Sequence, residues 1–121
     1  MGSEKSPLVE GDILFDLDVK SFTHARTFVR LEQVSLADAP SKIVLERSIN
    51  DVSYQARSGA KLHFALFGEM PNERDRYVVT VHVDVDGDGK VSQGDCINMQ
   101  SYPVLTFGYP RYVRILVKQL T

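Results

Sequence analysis

The chain has 121 residues, 43% of them hydrophobic and 25% charged, which suits one globular domain and excludes a disordered tail. A formal net charge of −2 leaves no basic footprint for nucleic acid. The single cysteine, Cys96, excludes an internal disulfide and a Cys-rich zinc site, and no apolar run nears the ~20 residues of a membrane-spanning helix.

Residues 1–10 lack a basic start followed by an apolar stretch, so they read as a disordered N-terminal segment or tag remnant rather than a secretory leader. From residue 11 to 121 the apolar period is two, the mark of half-buried strands. Ile13, Phe15, Leu17 and Val19 share one face of the first run, and Thr27, Val29 and Leu31 one face of the second. Ile43, Leu45 and Ile49 follow, then Leu62, Phe64 and Leu66 with His63 opposite. Tyr77, Val79, Val81 and Val83 alternate with Val78, Thr80 and His82, which places both His63 and His82 on a solvated face. Ile97 and Met99 are expected inward, and Val113, Ile115 and Val117 close the chain. Turn signals such as Arg57-Ser58-Gly59 and Asp86-Gly87-Asp88-Gly89 punctuate the runs. The pattern predicts an all-β chain, one immunoglobulin-like or transthyretin-like β-sandwich of seven to eight strands.

Asp84 to Asp95 fits the twelve-residue calcium loop D-x-[DN]-x-[DN]-G-x₅-E, with Asp95 in the final position. Calcium takes about six to eight oxygen ligands, and carboxylates at alternate positions of a curling loop all reach its centre. Asp84, Asp86 and Asp88 are the expected ligands, joined by the Lys90 carbonyl, by Ser92 directly or through water, and by Asp95. Gly89 permits the sharp turn, and Val91 is expected to pack the loop onto the domain. The cofactor expected is one Ca²⁺ ion, with Mg²⁺ as the alternative; oxygen-only donors disfavour zinc and copper. An ordinary acidic hairpin turn is the competing reading, because Asp-Gly is itself a strong turn signal.

Leu31-Glu32-Gln33-Val34-Ser35-Leu36-Ala37-Asp38-Ala39-Pro40-Ser41 resembles the L-x-D-V-S-L-A-D-A-P segment of the YbaY/YscW family, small bacterial lipoproteins and lipoprotein chaperones of type III secretion. Tyr102-Pro103-Val104-Leu105-Thr106-Phe107-Gly108 resembles that family's Y-P-V-L-T-x-G segment, with F-x-L and Y-x-V strands between at Phe64–Leu66 and Tyr77–Val79. The resemblance covers roughly residues 11–120. It implies a small β-sandwich, no catalysis and an extracytoplasmic or periplasmic place, with one branch assisting assembly of an outer-membrane secretin; the cytoplasm is the alternative. The family has a short turn where this chain carries Asp84 to Asp95, so the calcium loop reads as an insertion.

No catalytic constellation stands out. The histidines His24, His63 and His82 fall in no metal or hydrolase motif, and an acid beside Cys96 opposes its thiolate, leaving it a packing residue. Tyr109, Arg111, Tyr112 and Arg114 form a candidate partner surface. The residues thus predict a non-catalytic, monomeric calcium-binding β-sandwich that serves as a binding or interaction protein. Its alternatives are a calcium-independent secretion or lipoprotein chaperone of the YbaY/YscW type, and a carbohydrate-binding module. A protein partner is expected, and nucleic acid is not.

Overall fold

The computed structural model describes residues 6–34, 40–72, 74–106 and 111–121. It contains eight strands: β1 (Val9–Phe15), β2 (Phe22–Val34), β3 (Lys42–Tyr54), β4 (Lys61–Leu66), β5 (Arg76–Asp84), β6 (Cys96–Asn98), β7 (Pro103–Val104) and β8 (Tyr112–Gln119). The first strand begins inside the segment read as preceding the domain. Among the described residues no helix is long and apolar enough to cross a membrane.

All eight strands belong to one sheet, in the order β3-β2-β5-β6-β8-β1-β4, with β7 paired to β5 off that path. The sequence predicts a sandwich; the structure instead curls a single sheet into a nearly closed barrel. The three-residue β6 causes this. It pairs with β5 through His82 and Val83 and with β8 through Val117 to Gln119, so it joins the block β3-β2-β5 to the block β8-β1-β4. Most pairs are antiparallel, but β1 and β8 run parallel, Glu10 beside Tyr112 and Phe15 beside Val117.

The period-two reading places the core correctly on β2, β5 and β8. Thr27, Val29, Leu31, Val79, Val83, Ile115 and Val117 are all fully buried. Phe64 and Ile13 add the largest side chains from β4 and β1. At one end Phe15 stacks on Tyr54 with ring centroids 4.3 Å apart, and Phe22 packs beside both, tying the end of β3 to β1.

Several expectations need correction. Leu17 is 71% exposed, because β1 ends at Phe15 and the chain turns there. Ile43 is exposed and Leu45 and Ile49 are only half-buried, because β3 lies at the open side of the barrel. In β6 the phase is reversed: Cys96 is fully buried while Met99 is exposed. A strand of three residues is too short for its sequence to show which face is buried.

The Tyr102–Thr106 segment acts as a clamp. The Tyr102 hydroxyl accepts from Leu116 N and its carbonyl accepts from Val79 N, so one residue ties β8 to β5. Val104 is buried, and the Thr106 hydroxyl donates to the Asp75 carbonyl. Pro103 sits in the two-residue β7, on a side path where its missing N–H costs no central ladder bond.

Candidate functional site

The aspartate loop leaves the end of β5 and returns into β6. Those strands pair antiparallel, and the loop between them brings Asp95 against His82 on the outer face of β5. Its carboxylates arrange the backbone. Asp84 Oδ1 accepts from Gly87 N at 3.1 Å and Oδ2 from Gly89 N at 2.8 Å. Asp86 accepts from Asp88 N and from the Ser92 hydroxyl, the latter at 2.8 Å. Asp88 Oδ1 accepts from Lys90 N at 2.9 Å, and Lys90 itself is exposed. Asp95 closes the loop by accepting from Val85 N at 2.9 Å and from Ser92 N at 3.2 Å. Gly87 and Gly89 take φ of 75° and 78°, a region that side-chain-bearing residues rarely occupy.

The four aspartates Asp84, Asp86, Asp88 and Asp95 each place one carboxylate oxygen within 4.8 Å of the others. Asp84 and Asp95 are buried, whereas Asp86 and Asp88 are exposed. Burial, reinforced by neighbouring carboxylates, raises the Asp84 pKa despite the Gly89 amide. The Ser92 hydroxyl, then the Asp88 amide, hold Asp86 down to about 2. The cluster therefore joins a carboxylate that resists ionisation to one that ionises readily. This donor set suits a hard cation, since its side-chain ligands are oxygens.

His82 is the residue the sequence reading missed. It is buried, not solvated, and its Nε2 lies 2.8 Å from Asp95 Oδ2. Its ring stacks on Phe28, over which the Arg30 guanidinium sits 5.2 Å from the centroid. The alternation correctly turned His82 away from the core; the loop then covers it from outside. Val91, expected to pack the loop down, is instead 56% exposed at the rim of a cavity of about 230 Å³ lined by Phe28, His82 and Ile97.

A second polar cluster lies on the outer face of β4, β1 and β8. Buried Asp12 accepts from the Tyr112 hydroxyl and pairs with His63 Nδ1 at 3.2 Å, with Lys61 Nζ at 3.7 Å. His63 Nε2 also lies 3.4 Å from Glu10. Thus Tyr112 of the expected partner surface is half given over to structure. Arg111 and Arg114 are exposed, and Tyr109 lies outside the described residues, as does Asp38.

His63 and His82 stand on opposite blocks of the sheet, each with its own carboxylate, and do not converge. The Ser92 hydroxyl engages Asp86 and Asp95, so the His82–Asp95 pair has no serine in the order a hydrolase triad requires. Burial, with Asp95 beside it, pushes the Cys96 thiol up to about 11, far from a nucleophile's range.

No protein-family model matches the chain, and no curated protein matches it. Among solved structures, an alternative pilotin from the type II secretion system of Vibrio cholerae is similar to it, with a TM-score of 0.71 and 22% identity, over 93% of this chain and 96% of the pilotin. The two chains share a fold.

Proposed function

We propose that this chain is a non-catalytic, extracytoplasmic protein-interaction module that serves a secretion assembly, as a pilotin does. The observation that carries the reading is the match of nearly the whole chain to a pilotin fold with almost nothing left over on either side. The YbaY/YscW resemblance supports it from independent residues. Its Tyr102–Thr106 word coincides with the clamp between β5 and β8, so the motif is part of what makes this fold. The test is deletion of the chain in its source organism, followed by the amount of secretin multimer in the outer membrane. Loss of the multimer, restored by the wild-type chain, is expected. An unchanged multimer would end the secretion reading.

A second property, calcium binding at the aspartate loop, is supported by the convergence of Asp84, Asp86, Asp88 and Asp95 and by two of them being buried. Crowded carboxylates repel, and a divalent cation relieves that repulsion. Ion binding to the folded form alone adds about 2.7 kcal/mol at a hundredfold excess over Kd. The expected result is a melting temperature several degrees higher in calcium than in EDTA. Asp88→Asn is the informative variant. Asp88 is exposed and accepts from Lys90 N within the loop, so its loss should remove the calcium response while leaving the EDTA melt near wild type. Equal melts in EDTA, calcium and magnesium would reduce the loop to an acidic turn.

A further inference from the structure

The barrel is not closed. Among the described residues, β3 pairs with β2 on one side and with no strand on the other, and β4 likewise pairs only with β1. Across this seam a side chain takes the place of a ladder: Arg47 Nη1 donates to the Ala65 carbonyl at 3.0 Å. A groove of about 300 Å³ follows the seam, lined by Leu45, Glu46, Arg47, Ala65, Leu66 and Phe67, with the Glu46 carboxylate already paired to Arg30. The aromatic cluster at Tyr54 lies at one end, and toward the other the Leu45 side chain packs against Gly68, beyond β4.

Three features of the seam point the same way. Leu45 and Arg47 stand opposite the core residues Leu31 and Val29 of β2, so they share the face that looks into the barrel. Yet Leu45 and Ile49 are only half-buried, where the same face of β2 is fully buried. Among the described residues the inner face of β3 thus lacks a covering strand. Arg47 brings a positive charge to this place, and among the described residues no carboxylate pairs with it. Exposed apolar groups also flank the seam, Ile43 of β3 at 56% and Phe67, just beyond β4, at 50%.

We propose that β3 is the docking edge of this module, and that its occupant is an extended segment of the partner protein carrying alternate apolar side chains and one carboxylate. The segment adds to β3 as a new edge strand and displaces the Arg47–Ala65 bridge. Its backbone takes the free N–H and C=O groups of β3, its apolar side chains cover Leu45 and Ile49, and its carboxylate takes the Arg47 guanidinium. Strand addition of this kind draws affinity from main-chain bonds and specificity from alternate side chains. An unpaired edge is otherwise a liability. The inference rests on the reading of the chain as an interaction module, and names its surface.

The probe is a short blocked peptide alternating threonine and valine with one central glutamate, compared with the same peptide carrying lysine. Amide shifts and hydrogen exchange of the full chain are read by NMR. The glutamate peptide is expected to saturate shifts along β3 and β4, to slow exchange of the outward amides of β3, and to bind roughly tenfold tighter than the lysine peptide. Arg47→Glu should reverse that order, and Arg47→Gln should erase it. Both substitutions alter an exposed side chain, and unchanged thermal melts confirm the fold. Absence of saturable shifts on β3, shifts confined to another face, or an unchanged order in Arg47→Glu would overturn the proposal. So would β3 protection that grows with protein concentration in the absence of peptide, which would give the edge to a second copy of the chain. Failure here is separable from failure of the secretion reading. If Arg47→Glu restores secretin multimers to a deletion strain as well as wild type does, the seam is wrong and the module reading stands. If the peptide binds β3 but deletion leaves the multimers intact, the reverse holds.

Discussion

At the scale of single residues, two buried carboxylates, one on a strand and one closing a loop, show how a position outside the apolar core becomes essential. Asp12 keeps its charge mainly because the Tyr112 hydroxyl donates to it; burial opposes this, and His63 and Lys61 assist. Its pKa therefore lies below the ordinary 3.8. A depressed carboxylate adds stability that is present above 3.8 and is lost as pH falls through the folded-state value. Tyr112→Phe removes the largest support. The variant should be less stable than wild type at neutral pH, and the gap should close as urea melts are taken below pH 3.8. A gap independent of pH would mean that Tyr112 acts by packing alone. Asp95 is the stronger case. Itself fully buried, it accepts from Val85 N and Ser92 N, which are half-buried, and pairs with buried His82. Asp95→Ala leaves those donors without an acceptor, at a cost of about 3 kcal/mol by denaturant unfolding. The loop amides should then exchange faster. A loss below about 1 kcal/mol would show that water replaces the carboxylate at little cost.

At the scale of elements, the parallel junction of β1 and β8 depends on one glycine. A Cβ on Gly11 would lie 1.9 Å from the Val113 carbonyl oxygen, which is backbone and has no rotamer to yield. Gly11→Ala must push the two strands apart, and should destabilise the fold by at least the ~1–3 kcal/mol typical of overpacking. Gly59→Ala, whose Cβ meets nothing within 4 Å, is the control for a glycine strained only by its φ of 74°. Near-equal losses in the two would refute close packing at Gly11. The same junction shows what the sequence can and cannot reveal. The long runs of β2, β5 and β8 carry enough alternation to fix their buried faces. Cys96 to Asn98 carries only three residues of pattern, too few to fix its phase or to show that it joins the two halves. His82 was lost for another reason. Alternation says which side of a strand a residue is on, but not that a loop twelve residues long will fold over that side. The aspartates were legible because their spacing is local; the Asp12, His63 and Tyr112 cluster was not, because it is assembled from β1, β4 and β8.

At the scale of the whole molecule, connectivity decides how the barrel is made. β2 pairs with its chain neighbour β3, and β5 adds to β2, so this block can form with modest loop closure. β1 must instead meet β8 in parallel, from opposite ends of the chain, and only then is the second block complete. Loop closure over such a separation carries an entropic cost before any contact rewards it, which makes folding slow, on the order of milliseconds to seconds. It also orders the events: contacts within β3-β2-β5 should be present in the transition state, and those between β1 and β8 should form after it. Val29→Ala and Ile115→Val test this, since both side chains are fully buried and each should cost about 1 kcal/mol or more, enough for a reliable ratio. Val29→Ala is expected to slow refolding. Ile115→Val should leave refolding nearly unchanged and accelerate unfolding. The reverse assignment would place the nucleus at the joined termini, and β6, short as it is, would then be a consequence of that union rather than the link that follows the first block.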